Sequence, residues 1–267
     1  MKIYSFYTRS HAILKDAFTA SLKDDYELAI ECLDDLPTEK VKSDGVAHIG
    51  GGRNIWLYKT RKVIEAIASN PGQVVLFADI DIKFFDQTAD AIRGLIGDRD
   101  ILFQDDQFGS TAVNIGFMAI RCGDTTRRFF ENVLAMVVEK NIWDQKAVEI
   151  LLSHSRSDGQ GFVAPDGMRW NHLPLTFLPW HMVSSRFTLY SFARFRRIFA
   201  LDFRKVRLCH GTEWGATSNP LRKLQIYAMC ERAMRHPIAW KAEYLARFLF
   251  VRCGEAWRSR MARWRKG

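Results

Sequence analysis

One stretch of the sequence decides the fold: Val74-Val75-Leu76-Phe77-Ala78-Asp79-Ile80-Asp81-Ile82-Lys83-Phe84-Phe85. It follows the turn signal Asn70-Pro71-Gly72 and is rich in β-branched and aromatic side chains. A nearly continuous apolar run of this kind predicts a strand that is buried on both faces, as the strands of parallel sheets are. We therefore expect a central strand of an α/β protein.

Two aspartates, Asp79 and Asp81, lie near the end of this strand. Side chains at i and i+2 share one face of a strand, and a turn at the strand end lets both converge on one point. Two neighbouring carboxylates are costly to bury unless a cation neutralises them. Mg²⁺ and Mn²⁺ take such oxygen ligands and keep positions for substrate phosphates. The alternative is a solvated turn, because Asp-x-Asp also occurs by chance.

The segments around this strand alternate between strand and helix patterns. This order predicts a parallel sheet with right-handed crossovers. In sheets of this kind, ligands bind at the carboxyl ends of the strands. Before the aspartates we expect strands at 2–8 and 26–33 and helices at 10–22 and 56–68. After them we expect helices at 87–96, 125–140 and 147–152 and strands at 100–106, 112–121 and 206–212. The loop-rich segment 153–180 has the length of a loop that folds over a site.

Composition limits the class of protein. The chain has 267 residues, of which 48% are hydrophobic, which fits one large α/β domain or a domain plus an appendage. The N-terminus is too polar for a signal peptide, and no stretch reaches the roughly 20 apolar residues of a membrane span. Five cysteines, none in a Cys-x-x-Cys pair, predict reduced structural thiols in a cytoplasmic protein.

A glycine-rich turn, His48-Ile49-Gly50-Gly51-Gly52-Arg53, precedes the second predicted helix. It has neither the Gly-x-Gly-x-x-Gly fingerprint nor the lysine of a P-loop, so neither fold is supported. We interpret the turn as a loop, with Arg53 and Lys59 as candidates for reaching a phosphate.

Four short motifs follow one another along the chain, and together they are more specific than any one alone. They are Phe77-Ala78-Asp79-Ile80-Asp81, Val113-Asn114-Ile115-Gly116-Phe117, Trp143-Asp144-Gln145 and His210-Gly211. In this order the chain resembles the nucleotide-diphospho-sugar transferases of the glycosyltransferase A fold. The match is closest to the retaining group that includes α-galactosyl- and α-xylosyltransferases. It departs from the pattern at Ala78 and lacks the fuller Lys-Pro-Trp ending of a related family.

The resemblance implies a fold and a division of the chain. The implied fold class is a single α/β, Rossmann-like glycosyltransferase A domain with a mostly parallel central sheet flanked by helices. We expect this nucleotide-sugar-binding domain at residues 1–215 and a basic amphipathic helical extension at residues 216–267.

The resemblance also implies roles for particular residues, and with them a hexosyl- or pentosyltransferase that uses a UDP-sugar. The metal ligands would be Asp79, Asp81 and His210, which hold Mn²⁺ or Mg²⁺ and through it the donor diphosphate. The nucleotide-sugar contacts would be Tyr7, Thr8, Asn114 and Gly116 together with Asp79, and Lys59 is added to them as the phosphate-binding candidate named above. Asp144 and Gln145 match the catalytic pair near the anomeric carbon, although a helix cap is the alternative for Asp144.

The basic charge of the chain, +9 at pH 7, is concentrated in its last third. From Trp240 to Trp264 an aromatic stripe runs between basic residues, a composition typical of interfacial membrane helices. For residues 240–252 the alternative is that Tyr244, Phe248 and Val251 pack on the domain while the arginines are solvated. For residues 253–267 we expect contact with an anionic membrane. We therefore expect a cytoplasmic enzyme, peripheral on the inner membrane face, with a saccharide or lipid-linked acceptor.

Two other functions fit parts of the sequence. An aspartate-nucleophile phosphatase also has an Asp-x-Asp motif, but such enzymes carry Thr or Val where this chain has Lys83. A non-catalytic basic nucleic-acid-binding protein would use the positive charge. No nucleic-acid-binding module is recognisable, so we expect no nucleic-acid partner.

Overall fold

The computed structural model describes residues 1–33, 52–106, 112–180, 191–211 and 219–264, without the side chains of 52–54 and 255–264. The first half contains β1 (Lys2–Tyr7), α1 (Ala12–Ser21), β2 (Glu27–Cys32), α2 (Gly52–Ser69), β3 (Val74–Ala78), β4 (Ile82–Phe84), α3 (Ala89–Ile96), β5 (Ile101–Asp105) and β6 (Val113–Arg121). The second half contains α4 (Asp124–Lys140), α5 (Asp144–Leu152), β7 (Arg156–Ser157), β8 (Phe162–Val163), β9 (Arg169–His172), β10 (Phe177–Pro179), α6 (Phe192–Ala200), β11 (Leu208–His210), α7 (Pro220–Arg235) and α8 (Pro237–Trp264). Residues 48–51 of the predicted glycine-rich turn and the side chain of Arg53 lie outside this description, whereas Gly52, predicted as loop, begins α2.

The described strands form a large sheet in the order β2-β1-β3-β6-β5-β9-β8-β7 and a small sheet in the order β10-β11-β4. Strands β1, β2, β3, β5, β7 and β9 run in one direction, and β6 and β8 run in the other. Six of the eight described strands share one direction, which confirms the predicted mostly parallel sheet, and the sheet is mixed because four of its seven strand pairings are antiparallel. Strand β6 is antiparallel because it directly follows β5 in the chain and pairs with it, as strands joined by a short connection do.

Helices cover both faces of β3, as the continuous apolar run predicts. Val75 and Phe77 point into the core that lies beneath α2, α4 and α5. Leu76 and Ala78 point into the opposite core, which includes buried residues of α1 and α3. This alternation is the two-residue period of a strand whose faces are both apolar.

The expectation of one strand through residues 74–85 is wrong in one respect. Strand β3 ends at Ala78, and the chain re-enters a strand at Ile82 in the small sheet, where β4 pairs with β11. The residues on both sides of the break are apolar and buried, so the hydrophobic pattern does not reveal the change of sheet. The turn between the two sheets contains both aspartates.

The C-terminal helices α7 and α8 form a third core with α6 and the small sheet. Tyr244 and Phe248 of α8 are buried there, and Phe195 of α6 stacks on Phe248 with ring centroids 4.0 Å apart. Residues 240–252 therefore pack on the protein through one face, and the predicted helical extension is confirmed. The predicted domain boundary at residue 215 falls outside the described residues and stays a prediction.

Candidate active site

The backbone of the aspartate turn is hydrogen-bonded to both sheets. The Asp79 N–H donates to the Gly116 carbonyl of β6 at 2.6 Å. The carbonyl of Asp81 accepts from the Gly211 N–H, also at 2.6 Å. Asp81 is buried, whereas the side chain of Asp79 is 29% exposed. One carboxylate is thus enclosed by the protein and the other is partly accessible to solvent.

His210, at the end of β11, meets both carboxylates. Its Nε2 atom lies 3.2 Å from Asp81 Oδ1 and 3.7 Å from Asp79 Oδ2. Ligand atoms of the three residues lie within 4.8 Å of one another. The Nε2 atom is buried and has no hydrogen-bond partner among the described residues. A buried nitrogen without a partner, aimed at two carboxylates, fits a divalent cation, so the three predicted ligands form a group that can hold a metal ion.

Gln104 sets which nitrogen of His210 carries the proton. The Gln104 Nε2 donates to the Phe177 carbonyl at 3.1 Å, so its Oε1 atom is left to face His210 Nδ1, also at 3.1 Å. An amide oxygen can only accept, so His210 Nδ1 must donate, and the neutral ring keeps its lone pair on Nε2. Sequence reasoning missed Gln104, although a glutamine inside the buried strand Ile101–Asp105 was a signal.

Gly116 is a glycine because the ring of His210 lies against it. A Cβ atom at this position would lie 1.9 Å from His210 Cε1. A glycine inside a strand is typical of the close approach of a ligand or of another backbone, and here the neighbour is the His210 side chain. Asn114 accepts a hydrogen bond from the Gly116 N–H at 2.8 Å and so helps to hold this part of the strand.

Each of the two aspartates forms an ion pair with a lysine. Lys59 of α2 is buried, and its Nζ lies 2.6 Å from Asp79 Oδ1. Lys223 of α7 pairs with Asp81 Oδ2. Burial opposes the charge on Asp81, but the ammonium group of Lys223 beside it outweighs burial and holds the pKa of this carboxyl well below its ordinary value. Sequence reasoning offered no signal for Lys223, which lies among other basic residues.

Asp144 and Gln145 begin α5 beside this group. Burial raises the pKa of the Asp144 carboxyl, and the charge of Lys59 partly offsets the effect. Asp144 Oδ1 accepts from the Gln145 N–H at 2.9 Å, a contact of the helix first turn. The Gln145 side-chain amide donates to Asp106 Oδ2 at 3.1 Å. The amide is therefore anchored at the end of β5.

Tyr7 and Thr8 lie at the same sheet edge as the aspartates. Strand β1 pairs in parallel with β3, so both strands end on that side. Thr8 Oγ1 lies 2.9 Å from His11 Nδ1, within the turn that leads into α1. The predicted base and ribose contacts are thus placed next to the predicted metal site along the sheet.

The family model described as nucleotide-diphospho-sugar transferase matches residues 26–199. The chain belongs to the nucleotide-diphospho-sugar transferase family. This membership favours a transferase over the phosphatase and over the nucleic-acid-binding protein. No curated protein matches the transferase in sequence.

Solved glycosyltransferases share the fold of this transferase. A glycosyltransferase involved in the glycosylation of the major capsid of PBCV-1 is 14% identical with a TM-score of 0.52, over 85% of this chain and 98% of that one. GlyE of Streptococcus pneumoniae TIGR4 is 10% identical with a TM-score of 0.54, over 92% of this chain and 63% of that one. The bifunctional glycosyltransferase WbbM is 12% identical with a TM-score of 0.51, over 92% and 51% of the two chains. The predicted glycosyltransferase A fold is confirmed.

Proposed function

We propose that this transferase moves a hexosyl or pentosyl unit from a UDP-sugar to a saccharide or glycolipid acceptor, with retention of configuration and dependence on a divalent metal. The observation that carries the proposal is the convergence of Asp79, Asp81 and the unpartnered Nε2 atom of His210. Two carboxylates favour a hard cation. The imidazole favours Mn²⁺ over Mg²⁺, because Mg²⁺ is usually bound through oxygen alone.

Each residue of the site has a role in this reaction. The bound ion would neutralise the charge that develops on the departing nucleoside diphosphate. Lys59 adds a fixed positive charge beside Asp79. Asp144 would contribute a buried carboxyl group near the donor sugar, and Gln145 would contribute its side-chain amide, which is held by Asp106, so both could stabilise an oxocarbenium-like centre.

A thermal-shift screen of nucleotide sugars, with and without Mn²⁺, tests the donor class. Selective binding raises the melting temperature, and we expect a UDP-sugar to do so only when Mn²⁺ is present. Stabilisation by DNA or RNA without metal would contradict the proposal. Proton NMR of the product made from the selected donor then reports whether the anomeric configuration is retained.

Replacing Gln145 with alanine is expected to lower kcat by about 10- to 100-fold with little change in donor KM. The amide acts mainly on the charge of the transition state, so its loss affects turnover more than binding. Steady-state kinetics of donor turnover measure both constants. Gln73→Ala is the matched control, since this exposed glutamine lies before β3 at the far end of the strand. A rise in KM alone would remove Gln145 from the catalytic group.

We also propose that α8 places the enzyme on an anionic membrane surface. Besides its buried face, this helix exposes large apolar residues: Ile238 is 80% exposed, Leu249 is 52% exposed and Phe250 is 81% exposed. Arg247 and Arg252 are exposed on the same helix. Exposed apolar groups with basic neighbours are what an interfacial helix requires. Within the described residues, no helix has the length and apolar character needed to cross a membrane.

The double substitution Leu249→Glu and Phe250→Glu is expected to weaken membrane binding by at least about tenfold, because two apolar side chains are lost from the interface. Co-sedimentation with phosphatidylcholine vesicles, with and without phosphatidylglycerol, measures the effect. The control is Val138→Glu, at an exposed apolar position of α4. Donor hydrolysis should stay unchanged in both variants. Equal sedimentation of all three proteins would refute the membrane assignment.

A further inference from the structure

The ion pair between Lys223 and Asp81 lies inside the predicted metal site. Asp81 presents Oδ1 toward His210 Nε2 at 3.2 Å, and Lys223 Nζ contacts the other oxygen, Oδ2. The side chain of Asp81 is 6% exposed and that of Lys223 is 17% exposed, so water screens the pair only weakly. Lys223 comes from α7, outside the residues that match the family model.

The charges of the two aspartates are already matched. Lys59 pairs with Asp79 and also lies near the buried Asp144 carboxyl, and Lys223 pairs with Asp81, so each aspartate of the predicted metal site has its own ammonium group. A divalent cation bound by the aspartates and His210 would add two positive charges beside these lysines. Repulsion over such short distances in a partly buried site weakens binding strongly. A diphosphate group that arrives with the cation supplies negative charge and removes this penalty.

A second ion pair also fastens α7 to the small sheet. Two residues after Asp81, Lys83 of β4 pairs with Glu231 of α7 at 2.5 Å. That pair already links the two elements, and neither partner belongs to the group of predicted metal ligands. Replacing Lys83 therefore shows what the loss of a lysine–carboxylate ion pair to α7 does to the fold when no predicted metal ligand is involved.

We propose that Lys223 is a built-in counter-ion of Asp81 that opposes binding of the divalent cation alone and so makes the cation bind together with a nucleoside diphosphate. The inference rests on the proposed function, because it takes Asp81 as a metal ligand. It adds Lys223 as a positioning residue for the cation, and it specifies that the cation binds together with the nucleoside diphosphate. In the free enzyme, the lysines neutralise the two carboxylates.

The test is the affinity for Mn²⁺ alone and in the presence of UDP, measured by titration calorimetry or by the electron paramagnetic resonance signal of free Mn²⁺. Lys223→Met keeps most of the side-chain length and removes the charge. This variant should bind Mn²⁺ alone at least about tenfold more tightly than the wild type. UDP should then improve Mn²⁺ affinity less than it does in the wild type. Lys223→Arg and Lys83→Met should behave like the wild type.

Two results would overturn the inference. If the wild type binds Mn²⁺ with UDP but Lys223→Met shows no gain for Mn²⁺ alone, Lys223 does not oppose the cation. If neither protein binds Mn²⁺ under any condition, the metal site itself is wrong and the proposed function fails with it. Lys223→Gln, which keeps a hydrogen-bond donor for Asp81, gives the same comparison if the methionine variant does not fold. A gain that persists in an added Asp81→Asn background would place the Mn²⁺ elsewhere and would also overturn the inference.

Discussion

Asp81→Asn is expected to lower donor turnover by at least about 1000-fold and to abolish Mn²⁺ binding. The substitution removes the negative charge that faces His210 Nε2 and leaves Lys223 beside a neutral amide. Loss of one well-placed electrostatic contact to a transition state reduces kcat by about 100- to 1000-fold, and here the ion that makes such contacts would also be lost. Release of UDP from a UDP-sugar, followed at increasing Mn²⁺ concentrations, measures the effect.

Asp86→Asn is the matched control for this prediction. Asp86 follows β4, is exposed, and pairs with Arg207 on the surface rather than with the predicted ligands. Its replacement should leave turnover and metal dependence unchanged. A thermal melt of each variant separates loss of the site from loss of the fold. If folded Asp81→Asn turns over donor with the metal dependence of the wild type, Asp81 is not a metal ligand.

Gly116→Ala is expected to destabilise the protein by about 1–3 kcal/mol and to reduce Mn²⁺ affinity as well. The new methyl group would lie 1.9 Å from His210 Cε1, so the ring or the strand has to move. The ring is buried and its Nδ1 is held by Gln104, which leaves it little room to adjust. Overpacking of a dense core has an effect of this size on the free energy of unfolding. Denaturant unfolding and Mn²⁺ titration measure the two effects.

Gly94→Ala is the control, because a Cβ atom there meets no atom within 4 Å and the position lies in α3. Alanine favours a helix over glycine by about 1 kcal/mol, so this variant should be as stable as the wild type or more so. Equal unfolding free energies for Gly116→Ala and the wild type would mean that His210 does not pack on Gly116 in solution.

Most of the fold follows from local sequence patterns. Strand β6 and helix α4 are predicted within a few residues, because a buried strand has a continuous apolar run and a surface helix has a 3.6-residue period. The exit of the chain from the large sheet after Ala78 does not follow, since Ile82 and Phe84 of β4 are as apolar and buried as the residues of β3. Which sheet a short apolar segment joins depends on its partner strand, and that partner is β11, far along the chain.

In the candidate site, too, some residues can be predicted from the sequence and others cannot. Asp79, Asp81 and His210 carry recognisable motifs, so the sequence alone predicts that they share one site. Lys223 carries none, because a lysine on a basic helix is ordinarily solvated, and only the packing of α7 on the small sheet brings it to a carboxylate 142 residues away. Charge compensation between distant segments is a property of tertiary packing, which no local pattern records.

The chain passes from the large sheet to the small sheet at the aspartate turn, and this has a thermodynamic consequence. The Asp79 backbone is hydrogen-bonded to Gly116 in the large sheet. His210 belongs to the small sheet, and the Asp81 backbone is hydrogen-bonded to Gly211, the residue after His210. An ion held by all three side chains would clamp the two sheets together, and its binding energy would resist their separation. Donor affinity and the cohesion of the two sheets would then rise and fall together.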